Sequence, residues 1–253
     1  MRFEPSRVLA GGGGTLSERF VIAKPLGFKN YGSIGHLPNS RMGPGDHHVH
    51  DGQMKICLEK KRDRHDLILV TEKLDGTNVG VALKGGELLA LQRKGYLAES
   101  SPHEMHRMFT AWVKQNEGRF RACLAEGERI VGEWLALAHG TIYKLQHEPF
   151  VVFDMFIGQK RYNYAEVKRR CAPGCFIHPR LIHAGDSFSM AELLPQLEFS
   201  GHGALDGVEG AVYRVERKGE VDFMAKWVRP DKEDGKYLDT ETHPMEPTWL
   251  WRP

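Results

Sequence analysis

A lysine followed by an acidic, glycine-containing turn is the stretch of this sequence best suited to covalent chemistry. Residues 72–78 read Glu-Lys-Leu-Asp-Gly-Thr-Asn, and an apolar run stands on either side of them. Lys73 becomes a nucleophile only where part of it is deprotonated, which requires burial or nearby positive charge. Asp75 and Gly76 are also common turn residues, so the segment could equally be an ordinary hairpin connection. The remaining residues must decide between these two interpretations.

Further charged and aromatic residues follow this lysine, each within or beside a short strand-like segment. They are Arg93 in Gln-Arg-Lys-Gly, Glu133 in Val-Gly-Glu-Trp, Phe153 in Val-Phe-Asp, Glu209 in Val-Glu-Gly-Ala-Val, and Lys226 in Met-Ala-Lys-Trp. Side chains at strand ends and turns can converge on one cleft. We therefore expect these residues to lie together around Lys73.

The elements that must position them are mainly strands. Apolar runs of strand length occur at 67–70, 79–83, 88–92, 129–135, 150–157, 210–217 and 221–228. Glycine-containing turns at 84–87 and 218–220 predict two hairpins. Three helices are predicted at Ser101, Asn163 and Ser189, each a capping residue three positions ahead of a glutamate. This pattern predicts a mixed α+β fold of mainly antiparallel sheets with a cleft between them.

In this order the segments resemble motifs I, Ia, III, IIIa, IV and V of the covalent nucleotidyltransferases, which include polynucleotide ligases and RNA capping enzymes. The residues are most similar to the RNA ligase 2 type of ATP-dependent RNA ligase, over about residues 67–228. The resemblance implies an α+β nucleotidyltransferase fold, an ATP-grasp-like ligase fold, with mainly antiparallel sheets flanking a nucleotide cleft. It also implies ATP and Mg²⁺ as cofactors, and RNA with 5'-phosphate and 3'-hydroxyl ends as the partner.

The resemblance further implies roles for single residues. Lys73 would attack the α-phosphorus of ATP and form lysyl-AMP, splitting the reaction into two steps. Lys226 and Mg²⁺ would neutralise phosphate charge and lower the pKa of Lys73. Glu209 would bind the metal, because Mg²⁺ prefers oxygen ligands. Nucleotide contacts are implied for Glu72 near adenine, Asp75 and Gly76 beside the nucleophile, Arg93 on phosphate or ribose, Glu133 on ribose hydroxyls, and Phe153 stacked on adenine.

Each of these side chains also has a purely structural explanation. Phe153 could belong to the sheet core, and Arg93 or Glu133 could form an ion pair that only stabilises the fold. Function itself is open in the same way. The alternatives to an RNA ligase are an adenylyltransferase that acts on DNA or another acceptor, and a non-catalytic nucleotide- or RNA-binding module.

Two departures from the family pattern affect these expectations. The family usually has two lysines in motif V, separated by one residue, whereas here the first position is Met224 and only Lys226 remains. Only 27 residues follow Lys226, so we expect no C-terminal OB domain, and a DNA ligase or capping enzyme is less favoured. A partner protein could supply an accessory domain. We divide the chain into a loop-rich N-terminal extension (1–52) packed on the core, a nucleotidyltransferase domain (53–230) and a C-terminal tail (231–253).

The N-terminal extension is rich in Gly, Pro, Asn and His. Its four glycines at 11–14 are expected to form a loop, since no Gly-Lys-Ser/Thr follows them. The segment 31–51 is expected to border the cleft and to contact RNA phosphates through His36 and Arg41. Metal binding, phosphate contacts and ordinary loop polarity are alternatives for its cluster His47, His48, His50 and Asp51. A zinc site at Cys171, Cys175, His178 and His183 is disfavoured by the short spacing.

Bulk composition constrains the class of protein but not its activity. An apolar content of 41% with mixed charges is typical of soluble globular proteins, and a net charge of +2 does not identify a nucleic-acid binder. The sequence contains neither a hydrophobic signal core nor an 18-residue apolar stretch, so we expect a cytoplasmic protein with no membrane partner. Four cysteines fit reduced thiols better than a disulfide framework.

Overall fold

The computed structural model describes residues 24–238 and 245–252. Its strands are β1 (Gly35–His36), β2 (Asp66–Lys73), β3 (Thr77–Lys84), β4 (Glu87–Gln92), β5 (Glu128–Trp134), β6 (Phe150–Ile157), β7 (Lys160–Arg161), β8 (Leu181–Gly185), β9 (Gly210–Arg217) and β10 (Glu220–Val228). Its α-helices are α1 (Asp51–Leu58), α2 (Glu104–Gln115), α3 (Glu117–Cys123), α4 (Tyr164–Cys171) and α5 (Met190–Gln196). The glycine run 11–14 lies outside the described residues.

These strands form two five-stranded sheets. The first sheet has the order β1-β10-β9-β2-β8, and the second has the order β4-β3-β5-β6-β7. Neighbours are antiparallel throughout, except that β1 pairs with β10 in parallel. The predicted α+β fold with mainly antiparallel sheets is confirmed.

Both predicted hairpins are present, and each turn holds two successive residues in the left-handed region, three of the four being glycine. Gly85 and Gly86 have φ of 61° and 77° between β3 and β4. Lys218 and Gly219 have φ of 53° and 82° between β9 and β10. Two successive residues with positive φ match the twist of the flanking strands, which is why these turns give tight hairpins.

The helix predictions are correct at two of three caps. Asn163 accepts a hydrogen bond from the Glu166 amide, and Ser189 forms a capping box with Glu192. Ser101 does not cap α2, because its hydroxyl contacts the His103 amide and the His106 ring while the backbone stays extended through His103. The sequence analysis also missed the helices α1 and α3 and the strands β1, β7 and β8.

Each sheet buries its own apolar cluster. The second sheet packs Trp134 and Phe150 against Phe109 and Trp112 of α2, with ring centroids 5.3–5.6 Å apart. The first sheet packs residues such as Tyr213 around α1 and α5. Burial of such side chains stabilises the fold by about 1.5–3 kcal/mol each. The space between the two sheets remains available for a cleft.

The C-terminal segment folds back onto the second sheet. Trp251 lies with its ring centroid 5.6 Å from that of Trp134, and the Leu250 amide donates to the Ala136 carbonyl at 2.8 Å. Trp249 bridges to Leu137. Residues 239–244 lie outside the described part. Among the described residues, no helix has the length and apolarity needed to cross a membrane.

Candidate active site

A cleft of about 1040 Å³ lies between the two sheets. Six of the nine predicted site residues line it: Glu72, Lys73, Arg93, Glu133, Phe153 and Lys226. The other three, Asp75, Gly76 and Glu209, lie beside the Lys73 turn and contact residues of the lining. Residues as far apart in sequence as Glu72 and Lys226 therefore share one surface, because the two sheets are joined at this turn.

Lys73 is the last residue of β2, and residues 74–76 carry the chain directly into β3 of the other sheet. The segment is therefore a crossing between sheets and not a hairpin. Gly76 is required there, since a Cβ would lie 2.7 Å from the Trp134 carbonyl oxygen and 2.8 Å from Leu135 Cδ2. The lack of a side chain lets the turn pass close to β5, which holds Lys73 at the floor of the cleft.

The nearest charged group to the Lys73 amine is Glu209. The β2–β9 register places Lys73 opposite Gly210, so Glu209 immediately precedes the paired position. Its Oε2 lies 2.6 Å from Lys73 Nζ, and the side chains are 22% and 8% exposed. Burial alone would lower the pKa of Lys73, but Glu209 and Glu133 outweigh it and raise the pKa. The amine is an ion-paired ammonium here, and the lowering of its pKa by Lys226 and Mg²⁺ stays a prediction.

Glu133 faces the same amine from the second sheet. Its Oε1 accepts a hydrogen bond of 3.2 Å from the Gly76 amide. Burial raises the pKa of Glu133 to about 8; Lys73 opposes this shift, whereas Glu209 adds to it. Glu133 is therefore largely neutral near pH 7 and can donate as well as accept a hydrogen bond.

Asp75 is held by residues that do not line the cleft. Its Oδ2 accepts from Lys232 Nζ and, at 2.8 Å, from the Gly140 amide, while its own amide donates to Tyr143 Oη at 2.9 Å. Burial would raise the pKa of Asp75, but the ammonium of Lys232 lowers it below its ordinary value. The carboxylate is thus ionised and fixed in place.

Lys226 enters the cleft from β10, beside β1 of the N-terminal segment. The parallel register sets His36 opposite Lys226, and Asp46 joins them, 3.0 Å from His36 Nε2 and 3.5 Å from Lys226 Nζ. Burial and the Lys73 ammonium lower the pKa of Lys226. Arg41 pairs with Asp234. His36 is 1% exposed, so the phosphate contact expected through His36 is wrong. Burial leaves no surface of His36 to meet RNA.

Aromatic and cationic groups form the opposite wall. The Phe153 ring is only half-buried and lies 5.2 Å, edge to face, from Tyr31. Tyr31 also lines the cleft, so the segment 31–51 does border it. Arg93 is exposed, whereas Arg214 is buried and bonded to Asp154. An aromatic face beside cations suits a nucleotide base with its phosphates.

Glu72 is buried and already engaged. It accepts hydrogen bonds from Ser200 Oγ at 2.7 Å and the Gly201 amide at 2.8 Å, and Arg180 Nε lies 3.4 Å away. Two carboxylate oxygens accept about four bonds, so acceptor capacity remains on the cleft side.

Several residues in and around the cleft were missed by sequence analysis. Asn78 stands within the quoted motif, yet no role was assigned to it; its Oδ1 is buried and has no hydrogen-bond partner among the described residues. Asp46 and Lys232 give no sequence signal, because their partners lie far away along the chain. Met224 lines the cleft at the position where the family has a lysine.

The histidine and cysteine clusters have other surroundings. His50 caps α1, and His48 Nδ1 lies 3.3 Å from the His36 carbonyl. His178 lies against the Val152 carbonyl and His183 stacks on Phe188. Within residues 24–238 and 245–252, no group of three or more His, Cys, Asp or Glu side chains has the arrangement of a metal site.

The sequence matches the RNA ligase family over residues 66–228. No curated protein sequence matches. A variant of the Naegleria gruberi RNA ligase with ATP and Mn has a TM-score of 0.50 and 16% identity, covering 77% of this chain and 58% of that one. A second variant, with AMP and Mn, has a TM-score of 0.50 and 13% identity, covering 77% and 59%.

An archaeal ATP-dependent RNA ligase aligns with a TM-score of 0.45 and 20% identity, over 64% of this chain and 42% of that one. The chain thus spans about half the length of the solved structures it matches. At these identities the Naegleria structures show a shared fold.

Proposed function

The chain belongs to the RNA ligase family, and from this premise we propose that it is an ATP-dependent RNA ligase that works through lysyl-AMP. The observation that carries the proposal is the position of Lys73. It ends a strand at the floor of a cleft between two sheets, with Glu209 at 2.6 Å and Lys226, Arg93 and an aromatic face on the same surface.

Lys73 supplies the nucleophile in this proposal. Its amine attacks the α-phosphorus of ATP, an N–P bond forms, the P–O bond to pyrophosphate breaks, and pyrophosphate leaves. AMP then passes to the 5'-phosphate of an RNA end, and a 3'-hydroxyl displaces it to seal the strand. Because the Lys73 amine is an ion-paired ammonium, it must lose a proton before attack, and Glu209 Oε2 is the nearest base.

The other lining residues bind and orient the nucleotide. Lys226 and Arg93 contact phosphate, Phe153 stacks on adenine, Glu72 contacts the adenine edge, and Glu133 exchanges hydrogen bonds with ribose hydroxyls. Asp75 and Gly76 fix the turn that presents Lys73. The hydrogen-bonding and charge properties of each side chain, together with its place in the cleft, support these roles.

Glu209 is the residue that would hold a divalent cation, since carboxylate oxygen is the ligand Mg²⁺ prefers. Asp75, Glu133 and Glu209 crowd Lys73, and the free Oδ1 of Asn78 adds an uncharged oxygen to this surface. Glu209 Oε2 contacts Lys73, which leaves Oε1 for a metal ion. Mg²⁺ bound there would supply charge that neutralises the α-phosphate and lowers the pKa of the amine. The Naegleria gruberi RNA ligase is described with ATP and Mn, which supports the same pairing here.

Labelling tests the proposal. The chain is incubated with Mg²⁺ and ATP that carries a label in its α-phosphate, and denatured protein is assayed for acid-stable label. We expect label in the unsubstituted chain and in Lys160→Ala, a surface lysine paired with Glu220, but none in Lys73→Ala. An unlabelled chain, or a label that persists in Lys73→Ala, overturns the proposal.

Acceptor specificity requires a second measurement. Labelled chain is offered 5'-phosphorylated RNA, 5'-phosphorylated DNA and protein acceptors, and we expect transfer to RNA. Transfer to DNA or protein instead would favour an adenylyltransferase of another class.

Two observations favour a second candidate, a nucleotide- or RNA-binding module without catalysis. The Lys73 ammonium is held by Glu209, and Met224 takes the place of one cation. ATP binding by calorimetry without any lysyl-AMP would support this candidate.

A further inference from the structure

Lys232 is a buried cation that the proposed reaction does not use. It follows β10 in a turn closed by a 3.2 Å hydrogen bond from its amide to the Arg229 carbonyl. Its side chain is 0% exposed. Nζ contacts two groups, the Asp75 carboxylate and Thr141 Oγ1, the latter at 2.6 Å. A lysine is almost never fully buried unless it is paired, so this contact accounts for its position.

The contact between Lys232 and Asp75 depends on a glycine at position 140. A Cβ on Gly140 would lie 2.3 Å from the Glu233 carbonyl oxygen and 2.7 Å from Lys232 Nζ. The bare Gly140 backbone therefore lets the chain after β10 approach closely, and the Gly140 amide joins Lys232 on Asp75 Oδ2. Two donors from different segments thus fix one carboxylate oxygen.

Asp75 belongs to the crossing from β2 to β3 that presents Lys73, so the anchoring of Asp75 helps to set the position of the Lys73 amine. The titratable groups that face the Lys73 amine are Glu209, Glu133 and Asp75, together with Lys226. His139 and Tyr143 face Asp75 from the adjoining loop, together with Lys232. Without Lys232, the Asp75 carboxylate would lose its ammonium partner and keep the Gly140 amide, so the crossing that presents Lys73 would be held less firmly.

We propose that Lys232 is a positioning residue for lysyl-AMP formation: it anchors the Asp75 carboxylate and thereby fixes the crossing that presents the Lys73 amine. The inference rests on the proposed function. It assigns a task to a residue beyond motif V, in a segment whose sequence resembles no motif.

Lys232→Met, Asp75→Asn and the double variant test this role. The rate of lysyl-AMP formation is measured in a single turnover across ATP concentrations, at a temperature where every variant is folded. We expect Lys232→Met to lower the maximal rate at least about tenfold, with little change in half-saturating ATP, since geometry at the reacting centre is what changes. In the Asp75→Asn background the same substitution should have no further effect.

The double-variant arm also guards against misfolding. Lys232→Met alone leaves a buried carboxylate without a partner and is expected to reduce stability. The double variant carries neither charge, and because Asp75→Asn alone leaves the Lys232 ammonium without its carboxylate, the stability of all three variants is measured beside their rates.

Three results would overturn the inference. One is an equal loss of rate in both backgrounds, which would mean that Lys232 acts independently of Asp75. Another is an unchanged maximal rate with reduced stability, which would leave Lys232 a structural role only. An unsubstituted chain that takes no label overturns the proposed function itself, and is distinguished from the other two because no variant is needed to see it.

Discussion

At the scale of single residues, burial and the neighbouring Lys73 have opposite effects on the pKa of Glu133. Burial raises its pKa from the ordinary 4.5 to about 8. A raised pKa in the folded chain means that its stabilising contribution is complete below pH 4.5 and is lost as the pH rises toward 8. Glu133→Gln keeps the neutral form at every pH. We therefore expect the stability of Glu133→Gln to decline less than that of the unsubstituted chain across this window.

Urea denaturation at about pH 5 and about pH 8 measures this difference. The matched control is Glu87→Gln, an exposed glutamate at the start of β4, whose stability should follow that of the unsubstituted chain. Parallel pH curves for Glu133→Gln and the unsubstituted chain would contradict the prediction.

Met224 is the second residue whose chemistry can be tested singly. Met224 and Lys226 are two positions apart on β10, so their side chains share a face, and both line the cleft. Met224→Lys adds a cation there, which attracts phosphate and lowers the pKa of Lys73. We expect lysyl-AMP to form several-fold faster. Met224→Gln separates charge from polarity, and equal rates for the two variants would refute the electrostatic explanation.

At the scale of elements, the crossing from β2 to β3 controls the site. A Cβ at position 76 would meet the backbone of β5, which cannot move without shifting the second sheet. Gly76→Ala is therefore expected to reduce the free energy of unfolding by about 1–3 kcal/mol, as overpacking does. Urea denaturation is the measurement.

Gly118→Ala is the matched control for this substitution. Gly118 lies within α3, and a Cβ there would meet nothing within 4 Å. Helix propensity alone then predicts a gain of about 0.5–1 kcal/mol. The prediction fails if Gly76→Ala is as stable as the unsubstituted chain.

Across the whole molecule, Asp154 holds the two sheets and the N-terminal segment together. Its oxygens lie 2.5 Å from Arg214 of the first sheet, 2.8 Å from Arg161 of the second and 3.0 Å from Tyr31 Oη. Asp154 is fully buried. Asp154→Ala would leave the buried Arg214 guanidinium without its carboxylate, and we expect it to cost about 3–5 kcal/mol of stability.

An exposed ion pair between the same two sheets provides the control. Lys160 of β7 contacts Glu220 of β10 at 2.9 Å, and both side chains are more than 60% exposed. Glu220→Gln should cost less than about 1 kcal/mol, because solvent screens such pairs. Equal losses for the two variants in urea denaturation would show that burial does not set the strength of the link between the sheets.

The order of the site residues and most strands could be read from the sequence, since both depend on local patterns. Apolar runs of strand length predicted β2 to β6, β9 and β10, and glycine-containing turns predicted the two hairpins. The α1 helix was missed because its cap is His50, an imidazole outside the usual capping residues. The cap predicted at Ser101 failed because its hydroxyl is taken by His103 and His106.

By itself the sequence determined which residue types are available and in what order, from Lys73 to Lys226. Only the tertiary structure decided their charge states and partners. Lys73 meets Glu209 across 136 residues, and Asp75 meets Lys232 across 157. Because of its pairing with Glu209, the Lys73 amine is an ammonium. Burial between the sheets gives Glu133 a pKa of about 8. The reason is that electrostatic energies depend on distance and burial, which strand register and sheet packing set and local sequence does not.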